Sequence, residues 1–508
     1  MRDNRAKIFK LMVRILLPLL AVIVCGVLLF WGVGGFYGDQ DQQPLPMEED
    51  ASVWLTTPDR ANLLTPQTAQ HFSEHGDSGS DVLTIDVNPQ IAYQTIEGFG
   101  AAITGSSAYL INHRMSDAQR DALLNDLFTS QGININYIRH TIGASDYSVD
   151  ANGQPASYTY DDTDSGEPDY DLNHFSVAKD TDVMGLLQNI MKKKEGIKLI
   201  GTPWTAPAWM KYGEKTLNGW YLNYTDPHVY SAYAEYFVRY IKAYEQAGIP
   251  VEAVTMQNEP EFTTPDYPSM SMSAPEQAKF IREYLGPAFK ANGLNTKIIG
   301  FDHNWDIGEN YAGTLLSDEG ANSYIDGTAY HCYAGSPDVM SRMHDAYPDK
   351  HIYLTECSGG AWSTDFGSNL SWQLSNLIIG GTRNWAQNVL LWNMALDPDG
   401  GPTNGGCTNC RGVVTIDPAT GAVTKNEEYY AIGHASKFVH PGAVRIDSTQ
   451  QAGSIENVAF RNPDGTVVLI AVNVTADKRE FTVRQGTKSF AYTLPSHAAV
   501  TFTWQPQV

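Results

Sequence analysis

Between Glu97 and Asp397 the chain repeats one rhythm: a short, nearly continuous apolar run that closes on a polar or aromatic cluster, followed by residues at helical spacing. The runs are "TIEGFGAAI", "INYIRHTIG", "IKLIGTPWT", "VEAVTMQNE", "TKIIGFDHN", "DGTAYHCYA", "HIYLTECSG" and "VLLWNMALD". Continuous apolar runs separated by helices predict parallel strands covered on both faces. Eight of them predict a closed α/β barrel.

The helical stretches carry their own start signals. Ser116-Asp-Ala-Gln119 and Ser273-Ala-Pro-Glu276 both read as capping boxes, the second with proline in the first turn. Downstream the rhythm changes. "NVAFRNPDGTVVLIAVNVTADKREFTVRQG" alternates with period two and turns at Pro463-Asp464-Gly465 and Ala476-Asp477, which predicts antiparallel strands. "SVWLTT" and "DVLTIDV", far upstream of the barrel, look like strands of the same kind. The predicted fold is therefore a (β/α)8 TIM barrel over residues 93–435, with a side β-sandwich made by both chain ends, 51–92 and 436–508.

The first residues follow neither pattern. Arg2, Arg5, Lys7, Lys10 and Arg14 precede an uncharged stretch over 15–38, long enough to cross a bilayer and longer than the apolar region of a cleaved signal. Basic residues on its N-terminal side place that end, residues 1–14, in the cytoplasm and the remainder outside. The expectation is an uncleaved transmembrane signal-anchor in the cell membrane, with secretion after cleavage near Val33-Gly34-Gly35 as the alternative. Acidic, proline- and glutamine-rich residues 39–50 then read as a solvated linker.

Charge narrows the partners. With 34 basic and 57 acidic residues the net charge is −23, which repels phosphate backbones and excludes nucleic acid. The 11 tryptophans and 27 tyrosines suit cores and sugar faces equally. Cys25 lies in the apolar stretch. Cys407 and Cys410 are compatible with a tight disulfide, a free pair or half a zinc site; Cys332 and Cys357, at the ends of consecutive strands, are either bridged or small buried hydrophobes.

In such a barrel the chemistry sits at the C-terminal strand ends. Strand four ends in Asn258-Glu259, turned away by Pro260, and strand seven ends in Glu356, so two carboxyls from non-adjacent strands face one pocket. Glycosidic cleavage needs such a pair, one to protonate the departing oxygen and one to act as the anion. Their pKa values must then be pulled apart by their surroundings.

"TIEGFGAAIT", "RHTIGASDYS", "GTPWTAPAWMK", "AVTMQNEPEF", "AYHCYAG", "YLTECSGG" and "LLWNMALDPDGGP" occur in an order and spacing that resemble glycoside hydrolase family 30, the glucosylceramidase family, from about Val53 to the C-terminus. "CTNCRGVVTID" and "NEEYYAIGHASK" look closest to its β-1,6-glucanases. The resemblance implies a retaining hydrolase of β-glucosidic bonds in a β-glucan or a glucoside glycolipid, with Glu259 as acid/base and Glu356 as nucleophile. It implies Asn258 at the sugar 2-hydroxyl, and Arg139 and Tyr333 beside the nucleophile, where cation and phenol would favour its anion. Asp146 and Trp204 match residues that hold the glucose 4- and 6-hydroxyls. Trp392 matches the sugar-stacking floor, and Tyr147 and Tyr267 match pocket-wall aromatics more loosely. His331 is expected at the rim, bonded to sugar or nucleophile, with a buried core histidine as the alternative. A plain internal ion pair is the alternative for Arg139.

Two departures from the family stand out. Gly105 replaces a common aspartate, which suggests a wider cleft or no effect, and "TNGGCTNCRG" replaces the longer aromatic loop of animal glucosylceramidases on the aglycone side. The chemistry requires no cofactor, and no metal-ligand pattern is present. "GFGAAI" lacks the third glycine and acidic partner of a dinucleotide loop. Competing readings are β-1,6-galactanase or xylanase specificity and, in another class, a non-catalytic carbohydrate-binding surface protein. Asn223, Asn369 and Asn473 open glycosylation sequons and hint at surface positions.

Overall fold

The computed structural model describes residues 50–74, 83–164, 166–213 and 215–506. The eight runs form strands Gly98–Ile103, Tyr137–Thr141, Lys198–Thr202, Ala253–Thr255, Lys297–Asn304, Ile325–His331, His351–Glu356 and Ala386–Leu391, here barrel strands one to eight. Each pairs in parallel with its neighbours in chain order, and strand eight closes onto strand one from Asn388↔Gly98 to Leu391↔Ala101.

The outer helices begin where polar residues satisfy their first amides. At Ser116 the capping box is complete, the hydroxyl accepting from Gln119 N and the Gln119 side chain accepting from Ser116 N. The box expected at Ser273 is not formed by its hydroxyl, which makes no capping hydrogen bond, while Glu276 accepts from the Tyr230 hydroxyl of a neighbouring helix at 2.8 Å. That neighbour, Pro227–Gln246, is capped by Asp226 and buries Tyr230, Tyr233, Phe237, Tyr240 and Tyr244 on one face, which accounts for many of the tyrosines.

Inside the barrel, period-two alternation sorts residues into layers. Tyr137, Ile200, Ala253, Ile299, Ala329, Tyr353 and Leu390 form a fully buried apolar layer. Two positions further along their strands come Arg139, Thr202, Thr255, His331, Thr355 and Trp392, and the site stands on these. Strand five breaks the count. Phe301 packs outward against Tyr311 and Tyr330, and Asp302 turns inward instead. Phe301 and Asp302 have φ of 71° and 90°, and the pairing with strand six slips between Ala329 and Tyr330. This is a bulge that re-aims a side chain.

The two chain ends meet in one ten-stranded sheet that folds over on itself. Strand Asp50–Thr56 lies between Thr65–His71 and Ala499–Trp504. Leu83–Thr95 runs parallel to Arg479–Gln485 at its start and antiparallel to Val444–Ser448 further on, so one strand serves both halves. Phe72, Ile85, Leu469, Phe481, Phe502 and Trp504 share the enclosed core. Only two residues separate Thr95 from barrel strand one, and Gln94 donates to the carbonyls of Thr382 and Ala386 in the barrel.

Residues 15–38, read as an anchor, lie outside the described residues, as does Cys25; among the described residues no helix is long and apolar enough to cross a membrane. One sequon is corrected. Asn473 is fully buried and its amide donates to the carbonyls of Asp477, Leu494 and Pro495, so it is no surface position.

Candidate active site

Arg139 organises the site. Fully buried, it donates from Nη1 to Glu356 Oε2 at 2.5 Å and from Nη2 to Asn258 Oδ1 at 2.8 Å and Asp302 Oδ2 at 3.0 Å. The second Glu356 oxygen accepts from the Tyr333 hydroxyl at 3.0 Å. Trp204 and Trp392 stack with centroids 5.0 Å apart, and the guanidinium lies 5.0 and 5.7 Å from their ring centres. A weakly hydrated, delocalised cation is suited to this desolvated place.

Asp302 is the counter-ion beneath. Besides Arg139 it accepts from Thr255 and Thr355, each at 2.7 Å, and meets His331 Nε2 at 3.0 Å. Burial alone would raise its pKa, but Arg139, His331 and Thr355 hold the carboxyl well below the ordinary carboxylate range.

Glu259 sits on the other side of this network in a left-handed conformation, φ 47°, with its amide donating to the Asp302 carbonyl at 3.0 Å. Such a backbone costs roughly 1–3 kcal/mol and persists where surrounding structure imposes it. Its Oε1 lies 3.4 Å from His331 Nδ1 and 3.6 Å from His303 Nδ1. Burial pushes Glu259 upward, yet the hydrogen bond and charge of His331, with His303 and Arg139, outweigh it and leave the pKa lowered. His331 is raised to about 9: burial opposes this, and the carboxylates of Glu356, Asp302 and Glu259 overcome it. The opposed directions of these two shifts favour a charged Glu259 beside a protonated imidazole.

His331 itself stands behind Glu259, not at the sugar rim. It is fully buried, with both ring nitrogens directed at carboxylates. Asp302 and His303 escaped the sequence reading although "GFDHN" was recognised as a strand end, because period-two counting points Phe301 inward and the bulge defeats the count. Glu259, His303 and His331 also offer three ligand atoms within 4.8 Å of one another. His331 alone hydrogen-bonds Glu259 and is backed by Asp302, whereas His303 Nδ1 stops 3.6 Å short of the carboxylate and has no hydrogen-bond partner among the described residues.

The remaining candidates line one wall. Asp146 is buried with Oδ1 unbonded, and burial, then Glu356 and Glu259, push its pKa well above the usual carboxylate value. Tyr147 spends its hydroxyl on the Cys407 carbonyl at 2.6 Å, so it holds a loop in place. Tyr267 is half-buried and packs against the cluster of Tyr147, Trp204 and Trp392, and burial, then the charges of Asp146, Glu259 and Glu356, raise its phenol. Gly105 does not widen the cleft: a Cβ there would lie 3.1 Å from Ser148 Cα and Val149 N, so that space is already occupied by backbone.

Both cysteine pairs are disulfides. Cys332–Cys357 joins the ends of strands six and seven, next to His331 and Glu356. Cys407–Cys410 closes the loop after strand eight. That loop pairs with the residues following Glu356, Gly359↔Arg411 and Gly360↔Cys410. It also passes so near Asp146 that a Cβ on Gly406 would lie 2.7 Å from Asp146 Oδ2.

A parallel barrel whose fourth and seventh strands deliver carboxyls to opposite sides of one arginine-centred network defines an O-glycosyl hydrolase. The comparisons specify it. Residues 96–439 match the glycosyl hydrolase family 30 TIM-barrel domain and 442–502 the family 30 β-sandwich domain. The endo-1,6-beta-D-glucanase neg1 of Aspergillus fumigatus is 37% identical over 425 residues, covering 78% of this chain and 83% of that one. The lysosomal acid glucosylceramidase of Mus musculus is 28% identical over 449 residues, covering 84% of each. Among solved structures, the endo-beta1,6-glucanase BT3312 superposes with a TM-score of 0.81 at 35% identity, over 90% of this chain and 100% of that one. The chain belongs to glycosyl hydrolase family 30 and is a retaining glycoside hydrolase.

Proposed function

We propose that the protein cleaves β-1,6-glucosidic bonds, with Glu356 as nucleophile and Glu259 as acid/base. The carrying observation is the asymmetry between the carboxyls. Glu356 accepts from a guanidinium and a phenol, as an attacking carboxylate requires, whereas Glu259 faces an imidazole able to lend it a proton. Sugar covering Glu259 adds to the burial that already pushes its pKa up, and this draws the His331 proton across 3.4 Å onto Oε1. Glu356 then attacks the anomeric carbon as Glu259 protonates the leaving oxygen. Water, deprotonated by Glu259, displaces Glu356 from the covalent ester, and the β-configuration returns. The unbonded Asp146 Oδ1 and the Trp204–Trp392 stack supply sugar contacts. The names of the relatives that are 37% and 35% identical favour glucan over glycolipid.

Hydrolysis of a soluble β-1,6-glucan, with β-1,6-galactan, xylan and glucosylceramide alongside, tests the substrate. Glu356→Ala is expected to lose turnover by on the order of 10⁴-fold or more and to recover part of it with azide, giving the α-glycosyl azide. Rescue of Glu259→Ala with that inverted product would exchange the two roles.

We further propose that residues 15–38 tether the enzyme to the cell membrane with the barrel outside, as basic residues ahead of an uncharged bilayer-length stretch suggest. Recovery of all activity in the soluble fraction of an expressing cell would overturn this.

A further inference from the structure

The loop after barrel strand three carries aromatic rings that the chemistry above leaves unused. Tyr212, Trp220 and Tyr224 are 45%, 39% and 55% exposed. Tyr212 stacks on Tyr221 at 5.7 Å with planes 12° apart, and on Tyr224 at 6.4 Å with planes 25° apart. Monomeric proteins rarely leave contiguous rings in water without a ligand to cover them.

The cluster is held rigidly. Lys211, almost wholly buried beneath it, donates to Thr205 Oγ1 at 2.8 Å and to the carbonyls of Ser269 and Leu217 at 2.9 and 3.1 Å. Its acceptors are hydroxyl and carbonyl oxygens of the loops after strands three and four. Tyr221 bridges to Ser271, and Ser271 N donates to the Trp220 carbonyl at 2.7 Å. Hydrogen bonds therefore join the two loops to one another.

The cluster is also tied to the site along the chain. Thr205 follows Trp204 directly, and Ser271 is four residues from Tyr267, a span of at most ~14 Å. Every exposed ring in the cluster is Tyr or Trp, which offers a flat apolar face and a polar edge. That chemistry suits a polyhydroxylated ring more than a hydrocarbon tail, and a net charge of −23 disfavours anionic lipid surfaces.

We propose that Tyr212, Trp220, Tyr221 and Tyr224 form a stacking platform for a β-glucan segment remote from the bond being cleaved. The proposal rests on the glucanase reading for its ligand, and its test is built to fail separately. Tyr212→Ala/Tyr224→Ala is expected to raise KM for a long β-1,6-glucan about tenfold. It should leave kcat/KM on an aryl β-glucoside and the thermal unfolding midpoint unchanged. Binding of the same glucan to the catalytically silent Glu356→Gln enzyme, followed by tryptophan fluorescence, should weaken by a similar factor when the two tyrosines are removed. An unchanged glucan KM, or an equal loss on the aryl glucoside, would overturn the platform. A response to phosphatidylcholine vesicles but not to glucan would assign the patch to lipid and overturn it as well. If the wild type binds glucan through these rings yet cleaves no β-glucoside, the proposed reaction fails and the platform stands.

Discussion

Tyr353 and Thr355 point into the same barrel from the same strand, yet their surroundings have little in common. Tyr353 belongs to a layer of seven fully buried residues, all aliphatic or aromatic, and reaches a charge only at its hydroxyl tip, which donates to Asp326 Oδ2 at 2.6 Å. Thr355, one step nearer the C-terminal rim, donates to an ionised Asp302 inside a web of guanidinium, imidazole and carboxyl groups. The lower layer is stabilised by area removed from water, which many side chains of similar volume can supply. In the upper layer each charge is tolerable only because a particular partner sits within hydrogen-bonding distance. Two successive layers of one scaffold thus obey different rules: volume governs one and pairing governs the other.

The contrast is attacked most directly at Arg139. Replacing it by leucine keeps an apolar volume but leaves Asp302 and Glu356 without their buried cation, and breaking such a pair costs roughly 3–5 kcal/mol. Denaturant unfolding of Arg139→Leu should show that loss together with the disappearance of turnover. A loss under ~1 kcal/mol would mean that the upper layer obeys the volume rule after all. Leu390→Ala probes the lower layer, where a cavity costs about 2–5 kcal/mol. Here kcat should stay within about threefold, under ~0.7 kcal/mol of barrier. A large fall in kcat at preserved fold would show the layers to be coupled.

The third test separates the layers by pH. His331 has its pKa raised from 6.5 to about 9, so its contribution to stability is complete below pH 6.5 and is lost as pH rises through about 9. The stability difference between wild type and His331→Gln should therefore shrink over that window, by roughly 3 kcal/mol at most. The groups facing this imidazole are Glu259, Asp302, Glu356 and His303, and all remain in the variant. A difference that stays flat from pH 6.5 to 9 would detach His331 from the network.

Sequence patterning reveals the lower layer and much of the upper one. Apolar runs mark all eight barrel strands because both faces of each are covered, and their polar ends mark Glu259 and Glu356 because strand ends are where buried pattern gives way to chemistry, whereas Arg139 and Tyr333 stand out only through the family resemblance. Asp302 stays hidden because a bulge is a backbone event, visible only once strand six has paired against it. For His331 the rim and the buried readings stay open in the sequence for a related reason: pattern gives a residue's strand and level but not which neighbour its ring turns to. At Ser273 the local signal gives a helix start without the expected hydroxyl cap, and at Tyr147 the hydroxyl goes to a loop more than two hundred residues distant in the chain. Gly105 is a matter of space, since only the folded neighbour shows that there is none to spare.

The pairing of Asp50–Thr56 with Ala499–Trp504 has a consequence for how the molecule is made. From Thr56 to Ala499 the ribosome adds 499 − 56 = 443 residues, which at about 5–20 residues per second takes roughly 20–90 s. Throughout that interval the first-made strand lacks its partner from the far end of the chain, while the barrel emerging behind it can close without waiting. The nascent polypeptide thus carries an open sheet edge while the whole barrel is being made, and demand for holding chaperones falls on the strand that precedes it.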